Sequence, residues 1–284
     1  MAQTYKLFND SEFGLVRITR SGKSRRISLR VRGRPGRDGE RVSVTLPYLT
    51  GFKAGLDFLE KHREWVRKTF QSQSARYDKA EKEGRAVLRV KDGLSVGTIT
   101  SRIVFLADSG LVDRAIVKCA QEEGNAAVTI RFPAEWLGED GFVNDPARID
   151  WLKNVLAEVL RKDAKVYLAS RLEELASRYG FNYRRMIVKH NVSNWGSCSN
   201  AGNISLNLNL MRLPKPLCDY VLLHELCHLR ERNHGPAFHS LLEKLCRDNL
   251  GCLAAEGCKE AARYLDCHGV ERALSRDVAD WVIF

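Results

Sequence analysis

Two histidines four residues apart, His224 and His228, bracket an acid in the run His224-Glu225-Leu226-Cys227-His228. On a helix such a pair lies on one face, one turn above the other. Both imidazoles can then reach one zinc ion at about 2.0–2.1 Å. Glu225 stands roughly 100° round from His224. There it flanks the ion without ligating it, as a general base for a metal-activated water must. The competing reading is a buried helix whose histidines make ordinary hydrogen bonds. A hydrolytic zinc site also needs a third protein ligand and one open position. His234 is favoured, because Asn233, Gly235 and Pro236 break the chain beside it. His239 and Glu243, on the apolar run that follows, compete for the role. Tyr220, one turn before His224, is the candidate for stabilising an oxyanion.

These residues need a helix, and the flanks Val221, Leu222, Leu223 and Leu229 place it in a core. Pro214 and Pro216 introduce it, and it is expected to run to about Arg232. Upstream, residues 203–210 alternate apolar and polar strictly, which predicts a half-buried strand. Trp195-Gly196-Ser197-Cys198 reads as a turn leading into it. Asp145 before Pro146 is a helix start, and Gly180 is a stop. One helix between them would be about 51 Å long at 1.5 Å per residue, so a bend or break is expected. Nearer the start, Ile27–Arg32 and Val42–Leu46 alternate around a Gly-rich turn and predict an antiparallel hairpin. A helix is expected over 52–70, a polar connection over 71–85, and short strands over 86–90, 98–106 and 126–132. The fold class is therefore α+β. A mostly β, basic domain is expected over 1–140 and a second domain over 141–284.

Several of these stretches carry a resemblance. Trp195-Gly196-Ser197-Cys198, the 203–210 strand, His224–His228 and Asn233-His234-Gly235-Pro236-Ala237-Phe238 are similar to the YgjP-like metallopeptidases, relatives of the SprT-type zincins. The segment Arg25–Val31 is similar to that family's start. The resemblance implies a zincin-like domain over 141–284 with one zinc on His224, His228 and His234. It also implies Glu225 as the catalytic carboxylate and hydrolysis of peptide bonds. It counts against His239, since that position is often aromatic in the family. Zincins commonly hold substrate as an added strand, and 203–210 is the expected edge.

The 284 residues carry a net charge of +11, and it is unevenly placed. Residues 1–90 hold 21 Lys and Arg against 10 Asp and Glu, whereas 91–284 hold 25 of each. Arg25, Arg26, Arg30, Arg32, Arg34 and Arg37 make the densest cluster, so nucleic acid is a candidate partner. Two alternatives to a free-standing peptidase follow: a nucleic-acid-associated protein with a structural zinc, and a protease recruited to nucleic-acid-bound proteins. No run of about 20 apolar residues exists to span a membrane. The start has no basic-then-apolar secretion signal, and the eight Cys lack a secreted-scaffold spacing, so a cytoplasmic protein with reduced thiols is expected. Cys246, Cys252, Cys258 and Cys267 with His268 are spaced too widely for a usual zinc knuckle and are expected to be thiols. Cys227 is expected to pack, and Cys198 is a candidate redox-sensitive thiol.

Overall fold

The computed structural model describes residues 4–32, 36, 38–82, 89–122, 125–191, 194–281 and 283. The chain forms two compact units, Met1–Ala86 and Val87–Phe284. Each has its own hydrophobic core.

In the first unit four strands form one sheet: β1 (Tyr5–Asp10), β2 (Gly14–Ser21), β3 (Ser28–Val31) and β4 (Val42–Pro47), in the order β1-β2-β4-β3. β3 and β4 are the expected hairpin, with Leu29 opposite Val44. β2 runs parallel to β4. Period-two alternation turns Val16, Ile18, Val42, Val44 and Leu46 to one face. That face is closed by Leu59 of α1 (Phe52–Lys61) and Val66 of α2 (Arg63–Lys82). Gly55 lets α1 lie close, because a Cβ there would sit 2.9 Å from Ile18 Cγ2. The single helix expected over 52–70 is thus two helices, interrupted at His62. The second extends through most of the expected connection. Its last turns are built from Gln, Ala, Lys and Glu, good helix formers that leave no apolar period to read.

The second unit begins with β5 (Ser95–Gly97), β6 (Ser101–Asp108), β7 (Ile116–Glu122) and β8 (Asn125–Pro133), ordered β5-β6-β8-β7. Their buried Ile103, Phe105, Ile130 and Phe132 share one core with Leu152, Leu156 and Leu160 of α3 (Pro146–Tyr179). The division expected at 140/141 therefore differs from the one found. Residues 134–145 look like a linker in composition, yet Trp136 and Val143 are buried and Val143 N–H donates to Val90 O at 2.9 Å. The strands on either side belong to one body.

The 34-residue α3 runs without the break that its length made one of the two expectations. It contains no proline after Pro146 and no glycine. Asp145 caps its start by accepting from Arg148 N–H, and Gly180 at φ 68° closes it in the left-handed conformation. Behind it lie β9 (Arg185–Lys189), β10 (Gly196–Cys198) and β11 (Asn203–Asn207), ordered β10-β11-β9. The strand expected over 203–210 stops at Asn207. There the Asn207 carboxamide accepts the Asn209 N–H at 3.0 Å, and residues 208–212 tighten into a 3-10 turn. Four helices follow: α4 (Lys215–Cys227), α5 (Pro236–Ala255), α6 (Lys259–Leu265) and α7 (Val270–Ala279). A buried polar knot ties two of them, α4 and α5, to α3. Arg171 of α3 donates to Asp219 of α4 at 2.6 and 3.0 Å and to Asn249 of α5 at 3.1 Å, and Asn249 donates to Asp219 at 3.0 Å. Among the described residues no helix is long and apolar enough to cross a membrane.

Candidate metal centre

α4 is buried over almost its whole length, which fixes the rotation of its last turn. His224 and Glu225 lie on that turn, and His228 is the C-cap residue. The chain then turns tightly, with the N–H groups of Arg230 and Glu231 both donating to Cys227 O. Two arginines pin this loop from outside. Arg230 donates to the carbonyls of Tyr179 and Gly180 and stacks 4.1 Å from the Phe181 ring. Arg232 donates to Asn200. A turn from Asn233 O to Gly235 N–H then presents His234 back towards the helix.

The result is a cluster of three imidazoles. His234 Nε2 lies 3.1 Å from His224 Nε2. One ring nitrogen from each of His224, His228 and His234 lies within 4.8 Å of the other two. Phe238 of α5, fully buried, packs 4.7–5.0 Å from all three rings and forms the floor. His228 Nδ1 is 3.2 Å from Glu231 O. Donation to that carbonyl leaves Nε2 with its lone pair for a metal. Burial, then the neighbouring histidines, pushes His224 down to about 4, so it is neutral at physiological pH. Imidazole nitrogens at this spacing suit a zinc ion with three protein ligands and an open fourth position.

Glu225 is 5% exposed, and burial pushes its carboxyl up to about 7. Its Oε2 is buried and has no hydrogen-bond partner in the protein. Such an atom needs a polar occupant beside it, which is where a reacting water belongs. The sequence reading missed what makes room for this carboxylate. Residues 196–198 are a strand rather than a turn, and a Cβ on Gly196 would sit 2.6 Å from Glu225 Oε1. The glycine inside the Trp195–Cys198 run was the available signal.

Other expectations are corrected. His239 lies outside the cluster, with Nδ1 3.5 Å from Glu271 Oε1. Glu243 accepts the N–H groups of Val270 and Glu271 and the Arg247 guanidinium, so it anchors the start of α7. Tyr220 is buried, its ring 6.1 Å from that of His224 and its hydroxyl beside Ser275 and Glu271. The strand at 203–207 is paired on both sides and offers no edge to a substrate. Cys227 is buried as expected, and burial also raises the Cys198 thiol, which makes it less reactive. All eight cysteines are free, and no metal group besides the three histidines occurs among the described residues. Arg34 and Arg37 lie outside the described residues.

Residues 134–250 match the family model of the YgjP-like metallopeptidase domain. Over this segment the chain is similar to the YgjP-like metallopeptidase domain. It runs from the start of the 134–145 connection through α3, β9–β11 and α4 into α5, and it includes His224, Glu225, His228 and His234. The Arg25–Val31 segment lies outside the match. Comparison with curated proteins and with solved structures gives no match. At the level of the family, the match supports a hydrolase that works with a metal.

Proposed function

We propose that the YgjP-like domain is a zinc-dependent peptidase holding one zinc ion on His224, His228 and His234, with Glu225 as general base. The observation that carries this is the buried, unpartnered Oε2 of Glu225 beside three convergent imidazoles. A structural zinc site has four protein ligands and no use for a free carboxylate. When bound, zinc supplies the Lewis acidity that polarises a peptide carbonyl and acidifies water. Glu225 takes the proton from the attacking water and passes it to the leaving amine.

A peptide substrate lies along β10, beside α4. Trp195 O pairs with Asn207 N–H, and Ser199 N–H pairs with Asn203 O. By alternation the backbone groups of Gly196 and Cys198 turn away from β11. The Gly196 carbonyl is taken by the Asn194 side chain at 2.9 Å, which leaves Gly196 N–H and the Cys198 groups for an added strand. Eight free thiols suit a reducing compartment, and we place the protein in the cytoplasm.

The test is metal analysis with a peptide-library digest. One zinc per chain is expected, with cleavage abolished by 1,10-phenanthroline and restored by added zinc. Cleavage that survives complete removal of zinc overturns the reading, as does a fully zinc-loaded protein that cleaves nothing in the library.

A further inference from the structure

The first unit has no part in the proposed chemistry, yet it holds almost all the excess charge. Residues 1–86 contain 20 Lys and Arg against 10 Asp and Glu. The structure sorts this charge into two classes. Arg17 and Arg32 meet Asp38 and Glu40, Arg63 meets Asp10, Glu12 and Glu60, and Arg67 meets Glu12. Arg25, Arg26 and Arg30 are exposed, and among the described residues they have no carboxylate partner. They sit together on the β2–β3 connection and on β3, the edge strand of the sheet.

The same sheet has a face that its own helices do not cover. α1 and α2 close the side of Val16, Ile18 and Val44. On the opposite side strand register lines up two rows. One row is Tyr5, Thr19, Thr45 and Ser28, and the other is Leu7, Arg17, Ser43 and Arg30. Tyr5 and Leu7 are each 40% exposed, and the Arg17 guanidinium packs 4.4 Å from the Tyr5 ring. An aromatic ring, an apolar neighbour, hydroxyls from three strands and a cationic edge are thus presented on one surface.

We propose that this helix-free sheet face, over the part that the Asp38 and Glu40 contacts of Arg17 leave open, binds single-stranded nucleic acid. Arg25, Arg26 and Arg30 would meet the phosphates, a base would stack on Tyr5, and the hydroxyl rows would meet base edges. Charge complementarity selects a polyanion. The exposed ring selects one with unstacked bases, because stacking on aromatic side chains is how single strands are held without reading sequence. Width argues against a duplex. Four strands at about 4.8 Å spacing span about 14 Å before side chains are added, whereas the major groove is about 12 Å wide and admits a helix or a two-stranded ribbon. The proposal does not depend on the peptidase reading.

The test is fluorescence anisotropy of the full chain with fluorescein-labelled dT20 and U20 between 50 and 300 mM salt. Wild type is expected to bind, with affinity falling steeply as salt rises. The triple variant Arg25→Ala/Arg26→Ala/Arg30→Ala should weaken binding at least tenfold at low salt. It should also flatten the log–log salt slope by about 2, at about 0.7 per lost phosphate contact on a single strand. Tyr5→Ala should weaken binding about 5- to 150-fold and leave the slope unchanged. Circular dichroism and zinc content of the variants should match wild type, so that lost binding is not lost folding. The proposal is overturned by no binding at 50 mM salt, by a triple variant that binds like wild type, or by a 20-base-pair duplex or heparin that competes as well as dT20.

Discussion

Glu225 lies so close to Gly196 that a side chain there would collide with it, and only one of the two was legible in the sequence. The histidines and the glutamate declare themselves because helical spacing is local and can be counted. The need for glycine at 196 is a contact between a strand and a helix 29 residues apart, and no local pattern encodes it. It yields a sharp expectation. Gly196→Ala should push the new methyl into the Glu225 carboxylate and lower peptide hydrolysis at least tenfold, while zinc content stays at wild type. Unchanged hydrolysis in a kinetic assay would mean that β10 shifts freely and does not fix the base. His239 and Glu243 illustrate the opposite failure. Both are metal-capable residues at plausible spacing, but His239 faces Glu271 and Glu243 caps α7. Those partners lie some 30 residues downstream and were not visible at the site.

At the scale of elements, α3, α4 and the tail helices are held by polar groups as well as by apolar packing. Asp219 is fully buried, with its carboxylate satisfied by Arg171 and Asn249. Asp219→Ala leaves the buried Arg171 guanidinium with only Glu174 and Asn249 as partners and should cost up to about 3–5 kcal/mol in chemical denaturation, whereas the double variant Arg171→Met/Asp219→Leu should cost far less. A double variant as unstable as the single one would show that packing volume dominates instead. Glu243 gives a pH signature. Burial tends to raise its pKa, but the Glu271 and Val270 N–H groups and Arg247 outweigh burial and the net direction is down. A carboxyl lowered on folding contributes stability that is present above its unfolded value, about 4.3. That stability is lost as pH falls through the lower folded value. The melting temperature of wild type should therefore fall on acidification through this range, and Glu243→Gln should start lower and fall less. Parallel curves for the two proteins would contradict the capping role. The β3–β4 hairpin and the long helix were readable from alternation and capping. The extent of α2 was not, because its end has no apolar period. Nor was the end of β11, because the Leu and Asn alternation continues into a turn made by Asn207 itself.

For the whole molecule, composition gave the right charge asymmetry and the wrong boundary. The first 90 residues are basic, and the first compact unit ends at Ala86. The expected division fell later because Pro133 to Asp145 has the composition of a linker. Burial of Trp136 and Val143 shows that this segment closes a core instead. Two separate cores predict separable responses to metal. In scanning calorimetry, removing zinc should lower the transition of the Val87–Phe284 unit and leave that of the Met1–Ala86 unit in place. A ligand held at a thousand times its dissociation constant contributes about 4 kcal/mol to the unit that binds it. Equal shifts of both transitions, or no shift of either, would contradict a zinc site confined to the second unit.

In the proposed peptidase Glu225 acts as a base beside the metal and does not ligate it. Glu225→Gln keeps the size and reach of the side chain and removes its basicity. With this role, zinc content and melting temperature stay near wild type, and peptide hydrolysis falls by at least about 10²–10⁴-fold, the contribution of a positioned general base. A Glu225→Gln protein that retains its zinc and cleaves peptide at the wild-type rate would contradict it.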